Sequence, residues 1–551
     1  MKKLIALMLA ALMVLGGVSA FADAGSEPDW TEYDALIAEI KTTTDFAKRA
    51  DLMHQAEDIL MDTGAIVPIY YYNDVYMAKD GLSGFYSNPY GTKFFMYSDF
   101  GDNTTIRLQL ASEPDKLDPA LNSSVDGACL AANSFGGLYT YDSEGNYAPN
   151  FATGYTVSED GLTYVFNIRE GLKWSDGTPL TAKDFEYSWK RAAAEETAAD
   201  YSYMFDGIAG YPDQLQATAS EDGTTFTVVL KAPCAYMLDL AAFPTFFPVQ
   251  QACVEAGATA DNPGAWALEA GFVSSGAYVL ESWEHDVSMV YVKNPYYWDA
   301  ENVKIERLEF MLSDDDTAVY AAYESGDLDF IDGVPTDRIA SLLDNPEFHI
   351  VDELGTYYVI FNVKSNLFAG KTVEQAANMR KALGMLIDRQ YIIDTVGQTG
   401  QKIATSFLPA GMADGNGKTF KDADNWAYPN GEDGYFAEEP DVDKAIELLK
   451  SAGFEFDANG MLSAATPISF EYQTNTSSGH IAIAECMKED FAVIGINMTV
   501  RNIDWGVFLN ERKEGNYDIA RNGWIADFND PINMLEMWTT VSGNNDAQFG
   551  R

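Results

Sequence analysis

The sequence predicts a mixed α/β protein of more than one domain, and three observations carry that prediction. Apolar residues recur at helical spacing in some stretches and alternate with polar residues in others, with no low-complexity linker between them. Hydrophobic residues make up 47% of the chain and aromatic residues 13%, ample for packed interiors. At 551 residues the chain is too long for one core, and a division into about two to four domains is expected.

Element by element, the opening MKKLIALMLAALMVLGGVSAFADA has two lysines, an apolar run from Leu4 to about Val18, and an A-x-A site ending at Ala22. That pattern predicts a secretory signal peptide over residues 1–22, and export to the periplasm or the extracellular side of the envelope. No cysteine follows the apolar run, which argues against a lipid anchor. Residues 32–63 read as two helices, one with Tyr33, Leu36, Ile37 and Ile40 on a stripe, the other with Phe46, Met53 and Leu60 and an end near Gly64. AIVPIYYYNDVYM (65–77) is dense in β-branched and aromatic residues, and Pro68 places it at a sheet edge or a strand start. SEDGLTYVFNI (158–168) and SEDGTTFTVVL (220–230) each lead from a D-G turn into alternating apolar residues, one hairpin solution used twice. Thr181 caps TAKDFEYSWKRAAAEE with Asp184 in the capping-box position, and DVDKAIELLKSAGF (441–454) is a helix closed by Gly453.

Charge excludes several partners. With 84 Asp+Glu against 35 Lys+Arg the formal charge is −49, which disfavours nucleic acid and anionic membrane surfaces. Removing residues 1–22 takes two lysines and no acid, deepening it further. The longest later apolar stretch, AYMLDLAAFPTFFPV, is interrupted by Asp239, Pro244 and Pro248, so the mature protein is expected to be soluble. Four cysteines lack C-x-x-C spacing, which speaks against zinc; Cys234 and Cys253 are left either as a pair, worth about 3 kcal/mol, or as buried thiols.

Catalytic signatures fail one after another. The four histidines are scattered without H-E-x-x-H, and no serine sits in G-x-S-x-G. DGNGKT (414–419) has Met412 where a phosphate loop needs glycine. DDD (314–316) and DADN (422–425) lack the glycine and closing glutamate of a calcium loop and read as solvated loops. No catalytic residue, metal site or cofactor is therefore expected.

DGLTYVFNIREGLKWSDGTPLTAKDFEYSWKR (160–191) closely resembles the signature of the family 5 extracellular solute-binding proteins of ATP-binding-cassette importers. NPYYWDAENVKIERLEF, RKALGMLIDR and KAIELLKSAGF continue the resemblance over nearly all of the mature chain. The resemblance implies a two-lobed periplasmic-binding-protein-like α/β fold (type II, three-domain variant) with a hinged ligand cleft. The segment order is unusual. Residues 30–100 resemble the stretch that closes the sequence in this family, yet here they directly follow the signal peptide, and the chain ends at DAQFGR where those helices would begin. A circular permutation is expected, tolerable when the old termini lie close together. The expected domains are 75–135 with 268–355 as the first lobe, 136–267 packed on it, and 25–74 with 356–551 as the other lobe.

DIARNGWIADFNDP (518–531) places Arg521 and Asp527 on either side of Trp524. If extended, the segment holds the two charges roughly 20 Å apart, too far to pair. By resemblance to the oligopeptide-binding members, the aspartate that holds a peptide's α-ammonium falls on Asp527, and the basic residues that meet peptide carboxylates at different ligand lengths fall on Arg512, Arg521 and His480. Trp524 and Tyr357 are read as pocket or core with equal weight. A cysteine pair found in some oligopeptide binders falls on Gly355 and Ile525, and an acidic pocket residue falls on Ser123. Alternative roles stay open: Asp527 as a turn cap before Pro531, and His480 satisfied on a helix N-terminus. The expected function is non-enzymatic capture of oligopeptides by a monomer that delivers them to a membrane permease. Carriage of an oligosaccharide or metal complex is the alternative, and a secreted hydrolase a remote one.

Overall fold

The computed structural model describes residues 25–415, 418–422, 426–430 and 434–551. The expected signal peptide lies outside the described residues, as do parts of the DGNGKT and DADN stretches. In chain order, the fold uses α1 (Thr31–Thr42), α2 (Phe46–Asp62), β1 (Ile66–Ala78), β2 (Thr105–Leu110) and α3 (Val125–Ser134). Next come β3 (Ala152–Val157), β4 (Thr163–Ile168), α4 (Ala182–Ala193), β5 (Ala217–Ala219), β6 (Thr225–Val229) and α5 (Met237–Ala242). They are followed by β7 (Tyr278–Glu284), β8 (Ser288–Lys293), β9 (Arg307–Leu312), α6 (Asp316–Ser325), β10 (Phe330–Ile331) and β11 (Phe348–Phe361). The chain continues through α7 (Val373–Leu386), α8 (Val442–Ser451), β12 (Ser469–Asn475), α9 (Ser478–Ala492), β13 (Asn497–Ile503), α10 (Trp505–Lys513) and β14 (Ile519–Ile525).

One eleven-stranded sheet organises the molecule, in the order β7-β8-β9-β2-β10-β1-β11-β14-β12-β13, with the short strand Lys402–Ile403 beside β1. The antiparallel pair β1 and β11, 13 and 14 residues long, joins its two sides. At one end Met77 and Ala78 of β1 pair with β10; at the other, residues 355–361 of β11 pair with β14. Between those ends the register shifts twice, at Pro68/Tyr70 and at Tyr71/Asn73. Bulges kink and twist a strand pair, and both shifts fall in the two strands that join the sides of the sheet.

Pro68 corrects an expectation. It is the third residue of a strand in the middle of the sheet, not at an edge. The sheet tolerates it because the register slips immediately after it and only Tyr70 and Tyr71 pair with Lys402–Ile403 on the far side, so no ladder donor is needed at residue 68. Its carbonyl accepts from Arg389 Nε at 2.8 Å.

The two D-G hairpins form one four-stranded sheet, β3-β4-β6-β5, paired back to back through β4 and β6. Gly161 and Gly223 take the turns with φ of 73° each, a conformation that favours glycine. Helix α4 starts at the predicted capping box and buries Trp189, whose Nε1 donates to the Phe246 carbonyl at 2.8 Å. Helices α1 and α2 pack on the end of the chain. Trp30 stacks on Phe549 with ring centroids 3.9 Å apart and donates to the Trp538 carbonyl, and the Tyr33 hydroxyl donates to the Leu535 carbonyl.

All four cysteines are free thiols. DDD is not simply a solvated loop: Asp315 caps α6 by accepting from Thr317 and Ala318 N–H, and Asp316 accepts from the Ser478 hydroxyl. Among the described residues no helix is long and apolar enough to cross a membrane.

Candidate functional site

Strand β14 carries Arg521 through Trp524 in register against β11, and the chain leaves the sheet after Ile525. Two residues on, Asp527 is half-buried at the wall of a cavity also lined by Trp524, Tyr201, Ser123, Phe94 and Phe243. Among the described residues its carboxyl is met only by neutral donors. Asn533 Nδ2 donates to one oxygen at 2.8 Å and the Tyr201 hydroxyl to the other at 3.3 Å. Asn533 Oδ1 in turn accepts from the Asp527 N–H at 3.0 Å and from Trp524 Nε1 at 2.9 Å, fixing both side chains. No lysine or arginine ion pair to Asp527 forms among the described residues. Burial pushes the carboxyl up to about 7, against the opposing effect of the Asn533 and Tyr201 bonds. Asp527 is thus not the turn cap before Pro531; Asp530 fills that place, accepting from the Ile532 N–H at 3.0 Å.

Arg521 and His480, expected to serve peptides of different length, come together. Arg521 Nη2 lies 2.7 Å from His480 Nε2, and burial followed by the Arg521 charge holds His480 well below its ordinary value. A neutral imidazole protonated on Nδ1 accepts this bond, since the guanidinium has donors only. The guanidinium also lies over the rings of Tyr357, Trp505 and Phe508, 5.6 to 5.9 Å from their centroids. Tyr357 is fully buried beneath it, stacked on Tyr70, and belongs to the core. Ser477 caps α9 and accepts from the His480 N–H at 3.4 Å, so His480 does sit in the first turn of a helix while its ring faces Arg521. Arg512 flanks the same Phe508 ring but is paired, its Nε 2.7 Å from Asp546 Oδ2. Arg521 has no such carboxylate among the described residues.

Two further positions define the walls. Gly355 and Ile525 are directly opposite across β11 and β14, and a Cβ on Gly355 would come within 2.9 Å of Ile525. Ser123 accepts from Lys513 Nζ at 2.8 Å, and the same lysine pairs with Asp200, which ties the end of α10 to one wall of the cavity.

Residues 146–546 match the family of bacterial extracellular solute-binding proteins, family 5 Middle. The chain belongs to this family. The oligopeptide-binding protein OppA of Bacillus subtilis is 30% identical over 482 residues, covering 84% of this chain and 82% of that one. Among solved structures, the murein tripeptide binding protein MppA of Escherichia coli aligns with a TM-score of 0.70 at 28% identity, covering 82% of this chain and 84% of that one. Haemophilus influenzae OppA in complex with RPPGFSPFR aligns with a TM-score of 0.69 at 27% identity, covering 82% and 85%. The mixed α/β fold of this family-5 protein therefore matches that of periplasmic solute-binding proteins.

Sequence reasoning did not reach Tyr201, Asn533, Asp546 or Tyr72. Asn533 is six residues from Asp527 and could have been proposed as a local cap. Tyr201 lies 326 positions away from its partner, and no local pattern signals such a pairing. Tyr72 is marked only indirectly, by glycine at 523, where a Cβ would meet its hydroxyl at 2.1 Å.

Proposed function

We propose that this family-5 protein captures oligopeptides outside the cytoplasmic membrane and delivers them to the permease of an ATP-binding-cassette importer, by closure of two lobes and without chemical conversion. The observation that carries this reading is Asp527: a carboxylate at a cavity wall, desolvated enough to rise to about 7, with neutral donors and no cation among the described residues. A peptide ammonium supplies the missing charge, and one charge-assisted hydrogen bond of this kind is worth about 1.5–3 kcal/mol. Arg521, steadied by the neutral His480, and Arg512 on exchange from Asp546 offer cationic groups for the carboxylate of peptides of different length. Trp524, held by Asn533, is the side-chain wall next to the ammonium. The names of the relatives support the ligand class: the Bacillus subtilis protein is an oligopeptide-binding protein, and the Haemophilus influenzae structure contains a peptide.

In this reading the lobes are residues 75–135 with 268–355, carrying 136–267, and residues 25–74 with 356–551, hinged at the bulged β1–β11 pair. Residues 1–22 act as the export signal. The segment order is a circular permutation, supported by the packing of Trp30 on Phe549, which puts the two ends of the described chain side by side. Mass spectrometry of ligand released by denaturing the purified protein tests the function. Peptides of a few residues are expected; sugars, metal complexes or a bile-acid-like solute would overturn the reading.

A further inference from the structure

Helix α5 faces two ways. Ala242 at its end and the following Phe243 line the cavity that holds Asp527, while Asp239, 2% exposed, turns to a cluster of tyrosines. The Tyr141 and Tyr90 hydroxyls donate to Asp239 Oδ1 at 2.7 and 3.1 Å, and the Tyr147 hydroxyl donates to Oδ2 at 2.5 Å. No lysine or arginine among the described residues pairs with it. A carboxylate has several acceptor sites and no donor, so three hydroxyls can converge on it without competing. Their charge-assisted bonds counter part of the desolvation that an isolated buried carboxylate would suffer. Any hydroxyl that turned away would leave more of it uncompensated.

Tyr90 and Tyr141 also line the Asp527 cavity, their rings 5.7 Å apart at 65°. With both hydroxyls directed at Asp239, the rings are left to present carbon to the cavity, which Phe94, Val125 and Phe243 also line alongside the polar Asn122, Ser123 and Ser124. The anchor for the peptide's charged end and this carbon-faced wall thus share one cavity.

We propose that Asp239 is a positioning residue for ligand selection: by collecting the hydroxyls of Tyr90, Tyr141 and Tyr147 it makes one wall of the binding cavity apolar and selects peptides bearing an apolar side chain there. The inference rests on the peptide reading above and deepens it.

Titration calorimetry of the full chain tests it, with Ala-Ala-Ala and with tripeptides carrying leucine or the similarly shaped asparagine at each position in turn. At one position or more, leucine is expected to bind about tenfold or more tightly than asparagine, the range a hydrophobic pocket achieves. Asp239→Asn puts a donor amide where one acceptor oxygen stood, and Asp239→Leu removes the acceptor altogether, so either frees tyrosine hydroxyls to turn to the cavity. Each is expected to cut that preference to below about threefold while leaving Ala-Ala-Ala affinity within about threefold. Tyr147→Phe, whose ring is outside the cavity, leaves the preference in place. If Asp239→Asn fails to fold, Asp239→Leu decides. No leucine preference in the native protein, or a preference that survives in every folded one of these two variants, overturns the inference while the peptide reading stands. Failure of every tripeptide to bind overturns the peptide reading and this inference with it.

Discussion

Asp527 and Asp530 sit three residues apart in one loop, and their surroundings could hardly differ more. Asp530 is 2% exposed and gripped by Arg49, whose Nη1 and Nη2 donate to its two oxygens at 2.7 and 2.8 Å. Asp527 faces a cavity and is met by an amide and a phenol. The first pair is closed: its charges cancel, and the forked geometry leaves little capacity for a third party. The second is open, because neutral donors leave most of the desolvation of a carboxylate uncompensated. In the proposed reading, Asp530 with its own arginine holds the fold, and Asp527 without one receives its cation from the ligand.

Breaking the closed pair should have the largest effect. Arg49→Ala leaves Asp530 buried without its counter-charge and is expected to lower stability by about 3–5 kcal/mol in urea denaturation, with most of the loss recovered when Asp530→Asn is added. A loss below about 1 kcal/mol would show that the pair is not structural. Breaking the open site should spare the fold and remove function. Asp527→Asn is expected to weaken free-amine tripeptides by about tenfold to a hundredfold, while N-acetylated tripeptides, already poor ligands, change little. Equal losses for both ligands would refute the ammonium assignment.

Proton linkage sharpens the contrast further. The Asp527 carboxyl is raised from 3.8 to about 7 in the folded chain, so between those values the native state holds a proton that the unfolded state has released. Its contribution to stability is fully present below 3.8 and is lost as pH rises towards about 7. Ligand affinity runs the other way. The peptide ammonium needs the ionised carboxylate, so affinity should climb by up to about tenfold per pH unit from about pH 5 and level off above about pH 7. Asp527→Asn should flatten that climb, while Glu536, also raised to about 7 by burial but partnered by Lys41, keeps its own effect on stability. A pH-independent affinity in the native protein would contradict this linkage. The smallest effect belongs to the rim: Lys513→Met removes the contacts to Ser123 and Asp200 and should weaken peptide binding by no more than about fivefold, as expected for a partly exposed ion pair.

Much of the fold was legible because local chemistry declared it. The D-G turns, the Thr181 capping box and the stripes of α1 and α2 each need only a few neighbouring residues, and they appear where expected except for Phe46, which is exposed at the start of α2. Pro68 misled because its sheet position depends on the register of β11 and on the short reach of Lys402–Ile403, both remote in sequence. The same division holds at the site. Asp527, Trp524 and Arg521 lie in one legible segment, but what separates Asp527 from Asp530 is Arg49, Tyr201 and Asn533, two of them hundreds of positions away. Arg512 shows the converse, a basic residue whose pairing with Asp546 no local pattern announces.

Proton release measured by titration calorimetry at pH 6, in two buffers of different ionisation enthalpy, tests the central claim most directly. A carboxyl that titrates at about 7 is about nine-tenths protonated there. Binding of a free-amine tripeptide is therefore predicted to release close to one proton in the native protein and almost none in Asp527→Asn. Peptide binding without proton release, or with the same release in both proteins, would contradict the claim that Asp527 receives the ammonium.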